Sequence, residues 1–125
     1  MKFAKYTYAV AGIYGILVLL PQYFLLEKTG LDDPPAITHP EYYYGFVGVA
    51  LAFQIVFLLI ASDPVRYRPV MLATLPEKFL FAVSTFILCI QGRTGGPIVI
   101  GAMIDTLLGV LFLIAYLKTP KRAAN

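Results

Sequence analysis

The chain has 125 residues, a mean hydropathy of +0.77 and 59% apolar residues, whereas charged residues make up only 14%. So few charges cannot cover the surface of a soluble domain of this size, and the composition therefore predicts a membrane protein. The single cysteine, Cys89, excludes an internal disulfide and a CxxC redox pair, and no basic stripe interleaved with aromatic residues supports nucleic-acid binding.

Four apolar runs are predicted as membrane-spanning helices, because each has about the 20 residues needed to cross roughly 30 Å of hydrocarbon. They predict an all-α, four-transmembrane-helix bundle with up-down-up-down order, in one integral membrane domain over residues 1–125. The first run follows two lysines as in a secretory signal, but it is long and has no small-residue cleavage pattern, so we expect a retained helix. The predicted helices cover residues 6–26, 41–61, 69–91 and 97–117.

Basic residues concentrate in three of the five segments outside these helices. The other two segments carry only Lys28 and Arg93 together with several acids. The positive-inside rule then places both termini in the cytoplasm, and we expect a multi-pass protein of a plasma membrane. The cations are also candidates for contacts with anionic lipids. The basic segments contain Lys2, Lys5, Arg66, Arg68, Lys118, Lys121 and Arg122.

The connection from Lys28 to Pro40 is the longest, and its glycine and prolines predict an exposed external loop without regular structure. Thr38 is a candidate N-cap of the second helix, and Glu41, three residues later, completes a capping box. His39 lies beside acids in this loop, but the spacing matches no metal motif, so helix initiation is the preferred interpretation. Arg93 is the second candidate on the external side.

The third helix has two candidate start points. If it begins at Thr74, Glu77 is an interfacial cap and the helix is about 24 Å long, which is short for a bilayer. If it begins at Pro69, a favoured first-turn residue, it is about 34 Å long, Pro76 lies inside it, and Glu77 lies roughly 12 Å inside the cytoplasmic boundary. Length favours the start at Pro69. Lys78 is expected to extend its ammonium group to the cytoplasmic interface.

Helical phase aligns polar residues on one face of each of the last three helices, and these faces are expected to point into the bundle. In the second helix this face carries Tyr43, Val47, Ala50, Gln54, Phe57 and Ala61. In the third it carries Ala73, Glu77, Phe81, Ser84, Leu88 and Gln91. In the fourth it carries Gly101, Asp105, Gly109, Phe112 and Tyr116, where the two glycines let another backbone approach.

Depth along the helices divides the polar residues into two predicted layers. At 1.5 Å per residue, Tyr14, Gln54 and Glu77 all lie roughly 12 to 14 Å from the cytoplasmic ends of their helices, so they can form an inner layer. Asp105 lies about 12 Å below the external boundary, in an outer layer. The other residues assigned to the outer layer are Tyr43, Gln91 and Arg93, with Ser84 joining the two layers along the third helix.

Three interpretations of this polar constellation stay open. A charge at the centre of a membrane helix costs about 2.5 to 3.5 kcal/mol, so Glu77 and Asp105 are expected to face protein or water. They either hydrogen-bond across helices, at about 0.6 to 2 kcal/mol each, or form a small ligand-binding or proton-responsive site, or contact another subunit.

The strings HPEYYYGF, DPVRYRP and EKF, with four short spans and a polar first loop, resemble small, largely uncharacterised bacterial four-helix integral membrane proteins. The layout is also loosely similar to the DoxX-like group and, more remotely, to EXPERA-type sterol-binding and isomerase bundles. In EXPERA proteins intramembrane acids contact a cationic or carbocation-like ligand. That resemblance implies such a role for Glu77 and Asp105.

The first functional hypothesis is a non-enzymatic multi-pass membrane protein that binds a small hydrophobic or lipid-like molecule or acts as an accessory subunit. Its expected partners are membrane lipids, a hydrophobic small molecule, and copies of itself or another membrane protein, without a cofactor, metal or nucleic acid. The alternatives are an intramembrane enzyme using Glu77 or Asp105 as general acid or base on a lipid-like substrate, and a small proton-coupled transporter. A closed interior favours the accessory role, whereas a lipid-sized cavity reaching both acids favours binding or catalysis.

Overall fold

Helices make up nearly all of the structure, a computed structural model that describes residues 2–123. Within that range there is no strand. Four helices are long and apolar enough to cross a membrane, if the 3₁₀ turn that follows the first is counted with it. In chain order the elements are α1 (Lys2–Leu19), a 3₁₀ helix (Leu20–Phe24), α2 (Leu26–Asp32), α3 (Pro40–Ser62), α4 (Arg68–Ile90) and α5 (Pro97–Lys118).

The first helix begins earlier and ends differently than predicted. It starts at Lys2 instead of residue 6, and its last turn tightens into the 3₁₀ helix that contains Pro21. Proline has no backbone N–H to continue the α-helical hydrogen-bond pattern, which explains the change of helix type at this point. The other three long helices agree with their predicted bounds to within one residue at each end.

The connection from Lys28 to Pro40 is partly helical, and the prediction that it has no regular structure is therefore wrong for its first half. α2 occupies Leu26–Asp32, ahead of the prolines that stop it. Lys28 and Asp32, four residues apart on its surface, form an ion pair with 2.6 Å between Nζ and Oδ2. Glu27 lies in the first turn, where a negative charge complements the helix dipole.

The predicted capping box at the start of α3 does not form. The N-cap residue is His39 instead of Thr38, and no side chain caps the helix. The Glu41 carboxylate lies 3.1 Å from His39 Nδ1 and is used in that exposed pair. Pro40 occupies the first turn, where its missing N–H would have no intrahelical partner anyway.

The start of α4 at Arg68 resolves the ambiguity in the third predicted helix in favour of the longer form. Pro76 lies inside the helix, and Glu77 follows it nine residues after the first residue, about 14 Å along the axis. Glu77 is therefore within the apolar span and is not an interfacial cap.

The helices pack as two pairs. α1 packs most extensively on α3 and α4 on α5, α1 also contacts α5, and α3 and α4 touch only sparsely. Between the pairs lies an aromatic core, in which the Tyr8 ring stacks on Phe112 at 4.2 Å between centroids and Phe57 meets Phe112 edge-on at 4.9 Å. The Tyr8 hydroxyl is hydrogen-bonded to Thr74 Oγ1 at 2.9 Å, which ties α1 to α4.

The outer surface of the bundle is apolar. Leu17, Leu80 and Leu117 are each more than 65% exposed, and large exposed side chains of this kind occur on every long helix. Such a continuous apolar surface is unfavourable in water but suits hydrocarbon, which solvates leucine as well as a protein core does. The structure is thus compatible with a small multi-pass membrane protein.

Candidate functional site

The central feature of the site is a buried lysine between two carboxylates. The Lys78 side chain is only 6% exposed, and its Nζ lies 3.3 Å from Asp105 Oδ1 and 3.6 Å from Glu77 Oε2. The expectation that Lys78 reaches the cytoplasmic interface is wrong. It lies ten residues into α4, about 15 Å along a helix of roughly 34 Å, so its charge is held near the middle of the span. We call Glu77, Lys78 and Asp105 the acid–base triad.

The phase of α4 explains why the lysine points inward. The buried face of the helix carries Met71, Thr74, Lys78, Ala82 and Thr85. The predicted internal face lies one residue away, about 100° around the helix, and none of its residues is fully buried. Ser84 and Gln91 on that face are exposed, so neither belongs to an internal polar layer. The prediction that Ser84 joins the inner and outer layers is therefore wrong.

The predicted separation into two layers is also wrong, because Lys78 brings both acids to one place. Asp105, on α5, accepts a hydrogen bond from Lys78, and Glu77 pairs with the same ammonium group. The Phe57 ring of α3 closes the lysine from another side, with its centroid 5.2 Å from Nζ. This distance and geometry are those of a cation–π contact. The triad therefore joins α4 to α5 and touches α3.

The residues predicted to share the inner layer with Glu77 lie elsewhere. Gln54 is buried, but its Nε2 donates to the Ala50 carbonyl of its own helix at 2.8 Å and its side chain packs against Gly15 of α1. Tyr14 is 42% exposed and faces away from the bundle. The predicted internal faces of α3 and α5 are nonetheless confirmed, since Gln54, Phe57 and Phe112 are all buried there.

The remaining candidates are not close to Asp105. The Tyr43 hydroxyl donates to the Gln22 carbonyl at 2.7 Å and lies 3.0 Å from the Gln22 side chain, so it anchors the 3₁₀ helix to α3. Arg93 donates to Gln91 Oε1 at 3.4 Å in the exposed turn after α4. His39 is exposed and paired with Glu41. No group of three or more metal-binding side chains occurs in residues 2–123.

A groove of about 750 Å³ lies between α3 and α4, where these helices are far apart. Small side chains leave this space open: Gly45 and Ala50 on α3, and Ala73 and Pro76 on α4. A methyl group at Gly45 would have no atom within 4 Å. The rest of the lining is apolar or aromatic apart from two acids, Glu41 and Glu77, and it includes Phe46, Val49, Phe53 and Leu80. We call this space the α3–α4 groove.

The α3–α4 groove reaches one member of the triad. Glu77 lines it, whereas Asp105 does not. Glu77 Oε2 is buried, and within the described residues it has no hydrogen-bond partner, since the 3.6 Å to Lys78 Nζ is too long for one. An unmet acceptor in an apolar setting is costly, and such exceptions call for a specific explanation.

Pro76 adds a second acceptor beside Glu77. Because proline has no backbone N–H, the Leu72 carbonyl four residues earlier loses its intrahelical partner. Helices within membranes tolerate this only where another group satisfies the carbonyl. Pro76 thus leaves a backbone acceptor at Leu72, about one turn before Glu77, although Leu72 itself does not line the groove.

Lys78 is the residue of the candidate site that the sequence interpretation missed. The signal was its position four residues after Thr74 and seven before Thr85, which gives α4 a second polar face. Lys78 lies inside an apolar helix and is adjacent to Glu77. A second counter-charge is available from Asp105 on the next helix. Proteins pair intramembrane charges in this way far more often than they leave them alone.

No protein family, curated protein or solved structure matches this chain. Fold and site define its class only at a general level: an all-helical protein with four candidate membrane-spanning helices.

Proposed function

We propose that this chain is a multi-pass membrane protein that binds one lipid-like molecule in the α3–α4 groove, with a hydrogen-bond donor of that molecule on the Glu77 carboxylate. The observation that carries the proposal is an apolar groove of about 750 Å³ lined by a buried carboxylate with an unmet oxygen. Sites for small molecules are mostly apolar clefts with a few polar groups that fix orientation.

The dimensions of the groove suit an extended apolar chain. On α3 it runs from Glu41 to Phe53, which is about 18 Å along the helix axis. One end lies at the beginning of α3, beside exposed Tyr42, and the other lies near Glu77. A molecule with an apolar body can therefore enter from the membrane face and place a polar group at the triad.

Electrostatics supports a donor as the polar group. Lys78 compensates one of the two triad carboxylates, so one negative charge is left over when both are ionised. Among the groove-lining residues, the two carboxylic acids Glu41 and Glu77 are present and no basic side chain is. A hydroxyl or ammonium group therefore fits the groove, whereas a carboxylate or phosphate would meet like charge in a medium of low dielectric constant.

Within the membrane, the four long helices alternate in direction, with both termini on the cytoplasmic side. Contacts among the basic segments support this arrangement: Arg68 at the start of α4 donates to the Tyr116 and Thr119 carbonyls at the end of α5, and Lys118 lies over the Phe3 ring at 4.9 Å. The three basic segments thus cluster at one end, as the positive-inside rule requires. A fluorescent protein fused to the carboxyl terminus is expected to fold in the cytoplasm.

The binding proposal is tested by filling the groove. Gly45→Leu places a side chain in the open space, and Gly101→Leu is the matched control, because Gly101 on α5 also has no atom within 4 Å of an added Cβ and does not line the groove. Mass spectrometry of the purified proteins is expected to find a co-purifying molecule in wild type and Gly101→Leu. Gly45→Leu should lose it at least tenfold, and Glu77→Gln should retain less than wild type.

Three results would contradict the proposal. One is the same bound molecule in Gly45→Leu as in the control, at equal occupancy. Another is equal loss of the molecule in both glycine variants at unchanged thermal stability, which would show that binding does not depend on the groove. A third is co-purification of a stoichiometric membrane protein without a small molecule, which would favour the accessory-subunit role.

A further inference from the structure

A second, smaller pocket differs from the α3–α4 groove in the charge of its lining, which is basic instead of acidic. It has a volume of about 330 Å³ and lies where the connection after α3 meets the chain that follows α5. Its charged lining residues are all basic. Two come from around the start of α4 and two from beyond α5: Arg66, Arg68, Lys121 and Arg122.

Arg68 is the fixed element of this pocket. Its Nε donates to the Thr119 carbonyl at 2.7 Å and to the Tyr116 carbonyl at 3.2 Å, and its guanidinium carbon lies 3.9 Å from the centroid of the Tyr116 ring. Thr119 is itself held, because its buried hydroxyl donates to the Ala115 carbonyl at 2.7 Å. Arginine has five N–H groups, and in the described residues only the Nε group of Arg68 is bonded to protein. The planar fork of terminal N–H groups is thus positioned before any ligand arrives.

The start of α4 adds a positive electrostatic contribution. Arg68 and Pro69 are its first residues and both line the pocket. The first turn of this 23-residue helix contains no acidic residue and the N-cap side chain makes no hydrogen bond, so the partial positive charge of the helix end is not compensated there. The nearest acid in sequence, Asp63, accepts from the Arg66 backbone N–H at 3.3 Å and does not line the pocket.

We propose that this pocket binds a phosphate group, held by the Arg68 guanidinium and surrounded by Arg66, Lys121 and Arg122. The arginine fork matches the geometry of phosphate oxygens and can bind two of them at once. The pocket lies where α4 begins and α5 ends, and in a membrane spanned by these helices this end would lie at the level of the lipid phosphates. Basic pockets between membrane helices are a known form of recognition of anionic lipid headgroups. The same chemistry would accept free inorganic phosphate, and the experiment separates the two sources.

The test uses a double variant that spares the structural arginine. Lys121→Gln with Arg122→Gln removes two pocket charges from an exposed segment. Lys2→Gln with Lys5→Gln is the matched control, since it removes the same charge from another exposed basic segment that does not line the pocket. Native mass spectrometry in detergent would titrate each protein with phosphatidylglycerol, with phosphatidylcholine as the zwitterionic reference, and separately with inorganic phosphate.

Wild type and the control are both expected to prefer phosphatidylglycerol to phosphatidylcholine. Their affinities for phosphatidylglycerol should agree with each other within about twofold. The pocket variant should bind it about tenfold more weakly, a difference of about 1.4 kcal/mol, because two of the four basic residues that line the pocket are removed. Binding of inorganic phosphate with the same dependence on Lys121 and Arg122, and no binding of phosphatidylglycerol, would also support a phosphate site and assign it to a soluble ligand. Equal weakening in both double variants, or no binding of either probe, would overturn the proposal.

Discussion

The two main helix interfaces both bury a polar side chain, but they satisfy it in different ways. Between α1 and α3 the buried group is Gln54, whose amide donates within its own helix to Ala50. Between α4 and α5 it is Lys78, whose partner Asp105 belongs to the other helix. The first interface is neutral and its helices are held by shape, while the second depends on charge pairing across the contact.

The difference indicates which buried polar group has a role beyond packing. Gln54 fits closely over Gly15, where an added Cβ would collide with its side chain, so close approach of the helices is the purpose of that contact. The Lys78 ammonium group is expensive to bury, and it is placed beside a carboxylate that also lines a groove. A purely structural contact needs no such charge, which is why the triad is the candidate site.

The largest effect is expected from removing the lysine. Lys78→Met leaves Glu77 and Asp105 in an apolar environment without their common cation, and breaking a buried ion pair from one side typically costs about 3 to 5 kcal/mol. We therefore expect a fall of that size in the free energy of unfolding, measured by denaturant titration in detergent micelles. Expression of folded protein should fall as well.

A compensating variant separates the charge effect from lost packing. Lys78→Met combined with Glu77→Gln and Asp105→Asn has no charge in the triad, and it is expected to recover most of the lost stability. If Lys78→Met alone were as stable as wild type, the ammonium group would have no structural role and the triad would not define the α4–α5 interface.

A smaller effect is expected from two glycines on α5. At Gly109 an added Cβ would lie 2.7 Å from Cζ of the Phe79 ring, whereas at Gly101 it would meet nothing within 4 Å. Gly109→Ala should therefore destabilise the protein by about 1 to 3 kcal/mol through overpacking. Gly101→Ala should be neutral or stabilising by up to about 1 kcal/mol, because alanine is the better helix former.

Thermal unfolding of the two alanine variants side by side measures this contrast. Both variants replace glycine by alanine in the same helix. The difference between their unfolding temperatures therefore reports how closely α4 packs against α5 at Gly109. Equal unfolding temperatures would mean that the Phe79 ring moves aside at no cost and that α4 and α5 are held by the triad without close packing.

Periodicity predicted much of this architecture but not the orientation of α4. Asp105 and Phe112 were placed on the correct face because Asp105 is the only charged residue in α5 before Lys118 at its end. In α4 two charged residues are adjacent, about 100° apart, and hydropathy does not decide which of Glu77 and Lys78 points inward. The choice depends on Asp105, which lies on another helix 27 residues away in sequence.

The position of the two acids and the presence of the α3–α4 groove also could not be predicted from sequence patterns within single helices. Counting from the helix ends separated Glu77 from Asp105, because it treated each acid as a point and ignored the long lysine side chain that spans the distance between them. The α3–α4 groove depends on how far apart two helices pack, which small residues such as Gly45 and Ala73 permit but do not determine. Local pattern thus predicted the four long helices and the inward faces of α3 and α5, while the site arises from contacts between helices.

The smallest effect on stability is expected from replacing Gln54. Gln54→Met tests the comparison of the two interfaces most directly, because it introduces the same residue as Lys78→Met. Gln54 Oε1 is buried and has no partner in the part of the chain that the structure describes, and its Nε2 bonds only within α3. Methionine has a similar length and no polar atom to leave unsatisfied, so Gln54→Met should change the free energy of unfolding by less than about 1 kcal/mol. The same denaturant titration as for Lys78→Met makes the two values comparable. A loss of 3 kcal/mol or more in the free energy of unfolding of Gln54→Met would mean that the Gln54 amide makes an essential bond between helices. Both interfaces would then depend on a buried polar contact, and they would differ only in its charge.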